Sequence, residues 1–225
     1  MKGKWIIILM LFSTLLSAQE SNSFNQVKKR KRKLFSEDAV VFDLTSTLWK
    51  NAPVGIIQQP LKSIGFNISL FADRPLGYSP FAFAFGISYS VENLQNNGVF
   101  VSSNITNTTN IAPLQVPYLS NRLTTEWFDI PIELRLRTKG RGPFRIYLGA
   151  KAGVNITNYH QFIDGETKTR DYHIKNLNWY RYGVYARIGY AMFNVYGYYS
   201  LSDMFELNKG PQMAPVSVGL SLLLR

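Results

Sequence analysis

Three groups of residues in this chain are of types that could do chemistry. The first is the stretch 127–137, WFDIPIELRLR, where Asp129 and Glu133 stand close to Arg135 and Arg137. Two carboxylates four residues apart would suit general acid and base work if they shared a cleft with guanidinium groups to tune them. The second is the pair His160 and His173, with Asp164, Glu166 and Asp171 nearby. A metal site there would need these carboxylates, because the chain has no cysteine, and neither histidine has a regular ligand spacing. Polar loop residues are the better reading of both. The third is the run Lys28, Lys29, Arg30, Lys31, Arg32, Lys33, which read alone resembles a nucleic-acid patch. No glycine-rich phosphate loop, nucleophile elbow or His-x-Ser pair occurs in the sequence, and the reading implies no cofactor.

What positions the first group decides what it does. In an extended strand, Phe128, Ile130, Ile132, Leu134 and Leu136 share one face, and Asp129, Glu133, Arg135 and Arg137 the other. The same two-residue alternation recurs along the chain. It runs from Val40 to Trp49, from Ile64 to Phe71 and from Phe81 to Val91, then from Phe144 to Asn155, Tyr180 to Tyr190, Phe193 to Leu201 and Val216 to Leu224. With 127–137 this makes eight predicted strands. The connections alternate long and short. Segments 93–124 and 157–178 are rich in Asn, Thr and Ser and predict loops without regular structure, whereas 138–143 and 191–192 predict tight turns. Long loops at one end and tight turns at the other are the plan of a transmembrane β-barrel, and an even strand count places both termini in the periplasm.

Which face meets lipid follows from the residues opposite the apolar ones. Ala82, Ala84, Gly86, Ser88, Gly149, Gly153, Gly183, Gly189, Ser217 and Gly219 make poor solvent cover but suit a narrow lumen. The charged members of that face, Asp43, Asp129, Glu133, Arg135, Arg145, Lys151, Arg181 and Arg187, are then predicted to pair inside a plugged barrel, since buried charge needs a partner. Trp49, Trp127, Trp179, Tyr180 and Tyr199 are predicted for the interfacial girdles. Pro131 lacks the N–H that a closed ladder uses, so a bulge is predicted there. Asn67, Asn104, Asn107 and Asn155 stand in N-x-Ser/Thr sequons and are read as turn or lumen polar residues.

The N-terminus sets the compartment. Lys2 and Lys4 precede an apolar run from Trp5 to Leu16 and then Ser17 and Ala18, the pattern of a cleaved signal peptide over residues 1–18. Residues 19–38 form a basic periplasmic arm, and 39–225 the barrel domain. The formal charge of +11 comes mostly from Lys2, Lys4 and the KKRKRK run. Behind a signal peptide, that run loses its nucleic-acid meaning; it is a solvated tail, or it contacts anionic headgroups or an acidic periplasmic protein.

The segments FDIPIELRLR (128–137), FRIYLGAKAGV (144–154), RYGVYARIGY (181–190), YGYYSLSDMFELNKGP (196–211) and the closing PVSVGLSLLLR resemble the PorT-like outer-membrane β-barrel proteins of Bacteroidetes. The resemblance extends over the mature chain from about residue 38 and implies an all-β, eight-stranded antiparallel transmembrane barrel in the outer membrane, surrounded by its lipid. It carries no catalytic signature. One member of that group supports type IX secretion and gliding, but the N-terminal half here departs from it. The implied role is structural, binding or envelope assembly through the loops or the basic arm. Two alternatives stand beside it: a lipid-modifying enzyme using His160 or His173 with a loop carboxylate, and a soluble exported lipocalin-like binder.

Overall fold

The computed structural model describes residues 39–138, 142–165, 167–172 and 174–224. The predicted signal peptide and basic arm, Glu166 and His173 lie outside the described residues. The strands are β1 (Ala39–Lys50), β2 (Ile64–Pro75), β3 (Phe81–Gln95), β4 (Gly98–Ser103), β5 (Thr108–Pro113), β6 (Ser120–Arg137), β7 (Phe144–Ile163), β8 (Lys168–Tyr172), β9 (Tyr180–Tyr190), β10 (Phe193–Ser200) and β11 (Ala214–Leu224).

Eight of them, in the order β6-β3-β2-β1-β11-β10-β9-β7, close on themselves because β6 also pairs with β7. Every pairing is antiparallel, and the first strand meets the last, Val40 opposite Leu224 and Asp43 opposite Ser221. Closure leaves the barrel wall no free edge. The alternation dictates the faces. Phe128, Ile130, Ile132 and Leu134 of β6 are exposed, whereas Asp129, Glu133 and Arg135 between them are at most 1 % exposed. A greasy outside and a charged inside is the inverse of a soluble sheet, and it matches a wall that faces lipid.

Three features differ from what the sequence predicts. First, Pro131 carries no bulge. The β3–β6 ladder is interrupted between Ser88↔Asp129 and Phe85↔Ile132 and resumes in the same register, while Pro131 pairs with Lys151 on the other side. The missing donor is absorbed by an interruption in the pairing opposite Gly86 and Ile87, without an extra residue. The register shift lies instead between Glu126 and Trp127, where Ile156 is the additional residue on β7.

Second, the long segments are structured. β3 runs on to Gln95, β4 and β5 form a hairpin, and β6 already begins at Ser120. Asn96 and Asn97 do not simply break the chain: Gly98 N donates to Asn96 Oδ1 (2.7 Å), and Ile57 N donates to Asn97 Oδ1 (2.7 Å), so both side chains organise the loop. β7 likewise continues to Ile163 and gains β8 as a neighbour. Third, Trp49 and Trp127 are 2 % and 9 % exposed and point inward. Trp179, Tyr180 and Tyr182 do face outward, Tyr180 and Tyr182 stacked with centroids 6.4 Å apart, and Tyr199 takes a hydrogen bond from Lys50 Nζ at 2.7 Å.

Candidate functional site

Period two puts Asp129, Glu133, Arg135 and Arg137 of β6 on the lumen side, and β9 sends Arg181 and Arg187 across to meet them. Two networks result. In the one nearer the long loops, Arg181 donates from Nε to Asp129 Oδ1 (2.8 Å) and from Nη2 to Asp129 Oδ2 (2.6 Å), a bidentate fork, while its Nη1 reaches Glu92 Oε1 (2.5 Å). Lys151 Nζ stands 3.6 Å from Asp129 Oδ2, and Ser90 Oγ donates to the same oxygen (2.7 Å). In the network nearer the tight turns, Arg187 forks onto Asp43 (Nη2–Oδ2 2.7 Å) and also pairs with Glu133. Glu133 accepts from Arg135 Nε (2.6 Å), and Asp73 is shared by Arg135 and Arg137. Arg145 is buried on the same face, opposite Arg137 in register.

Aromatic rings line the guanidinium planes. Arg135 lies 4.5 Å from the Phe71 ring and 4.9 Å from Tyr147, Arg181 4.6 Å from Trp127, and Arg187 4.9 Å from both Tyr185 and Tyr196. These contacts replace part of the lost hydration, so the cations are held on their faces by π systems and at their edges by carboxylates.

Two members of the networks, Asp73 and Glu92, escaped the sequence reading. Both lie past the apparent ends of their strands, yet their parity was informative. Asn67, Ser69, Phe71 and Asp73 share one face of β2, and Ala82, Ala84, Ser88, Ser90 and Glu92 one face of β3.

Above the networks, the loops fold together over the mouth. Trp49, Leu94, Ile111, Leu123, Ile174, Met204, Phe205 and Met213 form an apolar core, with Phe100, Ile56 and Leu177 packed on it. Backbone groups stitch its parts: Thr109 N donates to Lys209 O (2.8 Å) and Thr109 Oγ1 to Lys175 O (3.0 Å). Asn178 Nδ2 reaches the Asp203 and Phe205 carbonyls (2.7 and 2.9 Å), and Asn121 Nδ2 those of Asn96 and Gly98 (2.9 and 2.8 Å). The cap is thus a small apolar core held at its edges by side-chain amides on backbone carbonyls.

Residues 16–206 match the family described as outer membrane protein beta-barrel domain. The chain belongs to that family. This outer-membrane β-barrel has structural likenesses that concern the fold alone. Ail, the attachment invasion locus protein of Yersinia pestis, is 11 % identical over 84 % of this chain and 99 % of its own, with a TM-score of 0.36. A Rhodopseudomonas blastica porin variant is 9 % identical over 84 % of this chain and 100 % of its own, with a TM-score of 0.22. No curated protein matches the sequence.

Of the histidine group of this outer-membrane barrel, His160, Asp164 and Asp171 are among the described residues. His160 lies in the extension of β7 beyond the lipid band, opposite Leu123 on β6 and Asp171 on β8, its ring 5.4 Å from Phe100 in an edge contact. Asp164 accepts from Thr167 N (3.0 Å) and shapes a turn. Among the described residues, no cluster of His, Asp and Glu can hold a metal ion. Burial holds the His160 imidazole below its ordinary value, against the pull of Asp171 and the Gly98 carbonyl.

A pH dependence of the cap follows. Because the folded-state value is depressed, the open cap binds more protons than the closed one as pH falls. The stabilising contribution of neutral His160 is complete above about pH 6.5 and is lost as pH falls through its folded value. Hydrogen exchange in the β4–β5 hairpin, corrected for intrinsic rates, is expected to rise about 3–10-fold between pH 7.5 and 5.5. A His160→Phe variant should lose this pH dependence; equal dependence in the variant would assign it to another group.

Proposed function

We propose that this barrel is a non-enzymatic outer-membrane protein of the PorT-like type, with a plugged lumen, whose folded cap binds an extracellular partner and whose basic arm, residues 28–33, docks an acidic periplasmic protein or anionic headgroups. The observation that carries the reading is the double seal. The ion-paired guanidinium groups of Arg181, Arg187 and Arg135 span the lumen among aromatic rings, and the loops form an apolar core over its mouth. An eight-stranded lumen is only wide enough for side chains, so these residues leave no room for solute passage. Each buried acid of the networks is paired with a cation, and a catalytic carboxylate would need to be free to exchange protons with a substrate.

Reconstitution in planar bilayers tests the plug. The purified barrel is expected to show no stepwise conductance, and well-resolved channel openings would overturn it. Affinity purification in mild detergent, with and without residues 28–33, tests the arm: a partner that is retained only by the chain with the arm supports docking, and an identical set of partners from both refutes it.

A further inference from the structure

We propose that the outward wall of the β6–β7–β8 extension holds a site for a phosphorylated sugar, supplied by the lipopolysaccharide that surrounds the barrel. Arg122 of β6, Gln161 of β7 and Arg170 of β8 stand side by side in register. Their neighbours Leu123 and His160 turn into the cap, so this row faces the opposite way. Arg122 Nη2 (3.4 Å) and Arg170 Nε (3.0 Å) both donate to one oxygen, Gln161 Oε1.

Two guanidinium groups therefore converge on a single neutral acceptor. Neither belongs to the ion pairs found among the described residues. Among the described residues, the acids on these strands are engaged or turned away. Glu126, on the same face of β6, accepts from Tyr89 OH (2.8 Å), and Asp171 lies opposite His160 on the other face of the sheet. Arg122 Nε is buried without a hydrogen-bond partner. Convergent cations with spare donors fit a doubly charged oxyanion, since the planar fork of arginine matches phosphate geometry and the mutual repulsion of the two groups is relieved when an anion bridges them.

The neighbouring rings point to a sugar as the carrier of that phosphate. Arg170 lies 5.1 Å from the Tyr159 ring and donates from Nη1 to Tyr172 OH (3.4 Å), and the two rings stand 5.4 Å apart with Tyr172 half exposed. They give a pyranose an apolar face to lie on and a hydroxyl to bond.

Height selects the source. The lipid-facing band of β6 ends at Phe128, six residues below Arg122. At the rise and tilt of a barrel strand this is about 15 Å above the hydrocarbon, the level at which outer-leaflet glycan packs against the wall.

The test uses the full barrel in phosphatidylcholine nanodiscs, titrated with lipopolysaccharide, with the same lipopolysaccharide stripped of phosphate, and with soluble heptose phosphate. The wild type is expected to prefer the phosphorylated lipopolysaccharide, and the Arg122→Gln/Arg170→Gln pair to weaken its binding by about ten-fold or more without changing binding of the stripped form. Retained heat-modifiable mobility of the variant, and unchanged binding by a Lys62→Gln control, tie the loss to the site. Equal affinity of variant and wild type, or of phosphorylated and stripped lipopolysaccharide, overturns the site. Binding of heptose phosphate as tight as that of lipopolysaccharide overturns the assignment to the surrounding lipid. The site lies outside the lumen, so these outcomes are separable from the conductance test of the plug.

Discussion

Replacing Arg187 with methionine is expected to cost about 3–5 kcal/mol of barrel stability, because it leaves the buried Asp43 without an ion pair and Glu133 with Arg135 alone. Arg187 is 2 % exposed and joins Asp43 of β1 to Glu133 of β6, so one side chain of β9 neutralises acids from two other parts of the wall. Methionine fills most of the space between Tyr185 and Tyr196 and removes only the charge and donors. The loss should then be largely electrostatic. The double variant Asp43→Asn/Arg187→Met tests this: with Asp43 neutral and Glu133 still held by Arg135, most of the stability is expected to return, giving a coupling far outside additivity. Denaturant unfolding in lipid vesicles, followed by tryptophan fluorescence, measures both. A single variant unfolding at the wild-type midpoint would mean that the lumen is wet enough to hydrate Asp43.

The same trio shows where sequence reading succeeds and where it stops. Period two needs only local information, so the inner faces of β6 and β9 were legible from their own residues. Which cation meets which acid is a matter of register between strands far apart in the chain. Arg135 meets Asp73 across the intervening β3, and Arg181 meets Glu92 only because the sheet closes between β6 and β7. Trp127 shows two sequence rules in conflict. Its parity with Asp129 placed it inside, and the preference of tryptophan for membrane interfaces placed it outside. Parity won, since Arg181 supplies a cation over its ring and Thr125 Oγ1 accepts from its Nε1 at 3.0 Å. Trp49 followed the same rule into the cap.

The cap was the least legible part for a physical reason. Its core draws single apolar residues from well-separated segments, such as Trp49, Ile111, Ile174 and Phe205, and no one segment carries enough of them to show a period. The Asn- and Thr-rich composition of 93–124 signalled turns correctly but hid a hairpin whose polar residues serve its neighbours. Asn176 Nδ2, for instance, donates to the Asn107 carbonyl (3.2 Å) and to Thr109 Oγ1 (3.1 Å). Polar composition excludes a large core; it does not exclude a small one stitched by side-chain amides.

The orientation of the wall can be measured by placing a charge on it at two depths. Ile132 is 45 % exposed and sits midway along the lipid-facing row from Phe128 to Leu136, so Ile132→Arg is expected to cost about 2–4 kcal/mol in vesicles. Leu136→Arg, at the end of the same row near the tight turns, should cost only about 0–1 kcal/mol, because the guanidinium can snorkel to the interface there. The contrast separates lipid from water as the surrounding medium. On a wet surface both changes would fall within about ±0.5 kcal/mol of wild type, and a loss of strand propensity alone would affect the two sites alike. Only a hydrocarbon layer makes the cost depend on depth. Equal small effects at both positions would therefore return the greasy face to solvent and leave the charged lumen without the membrane that explains its placement.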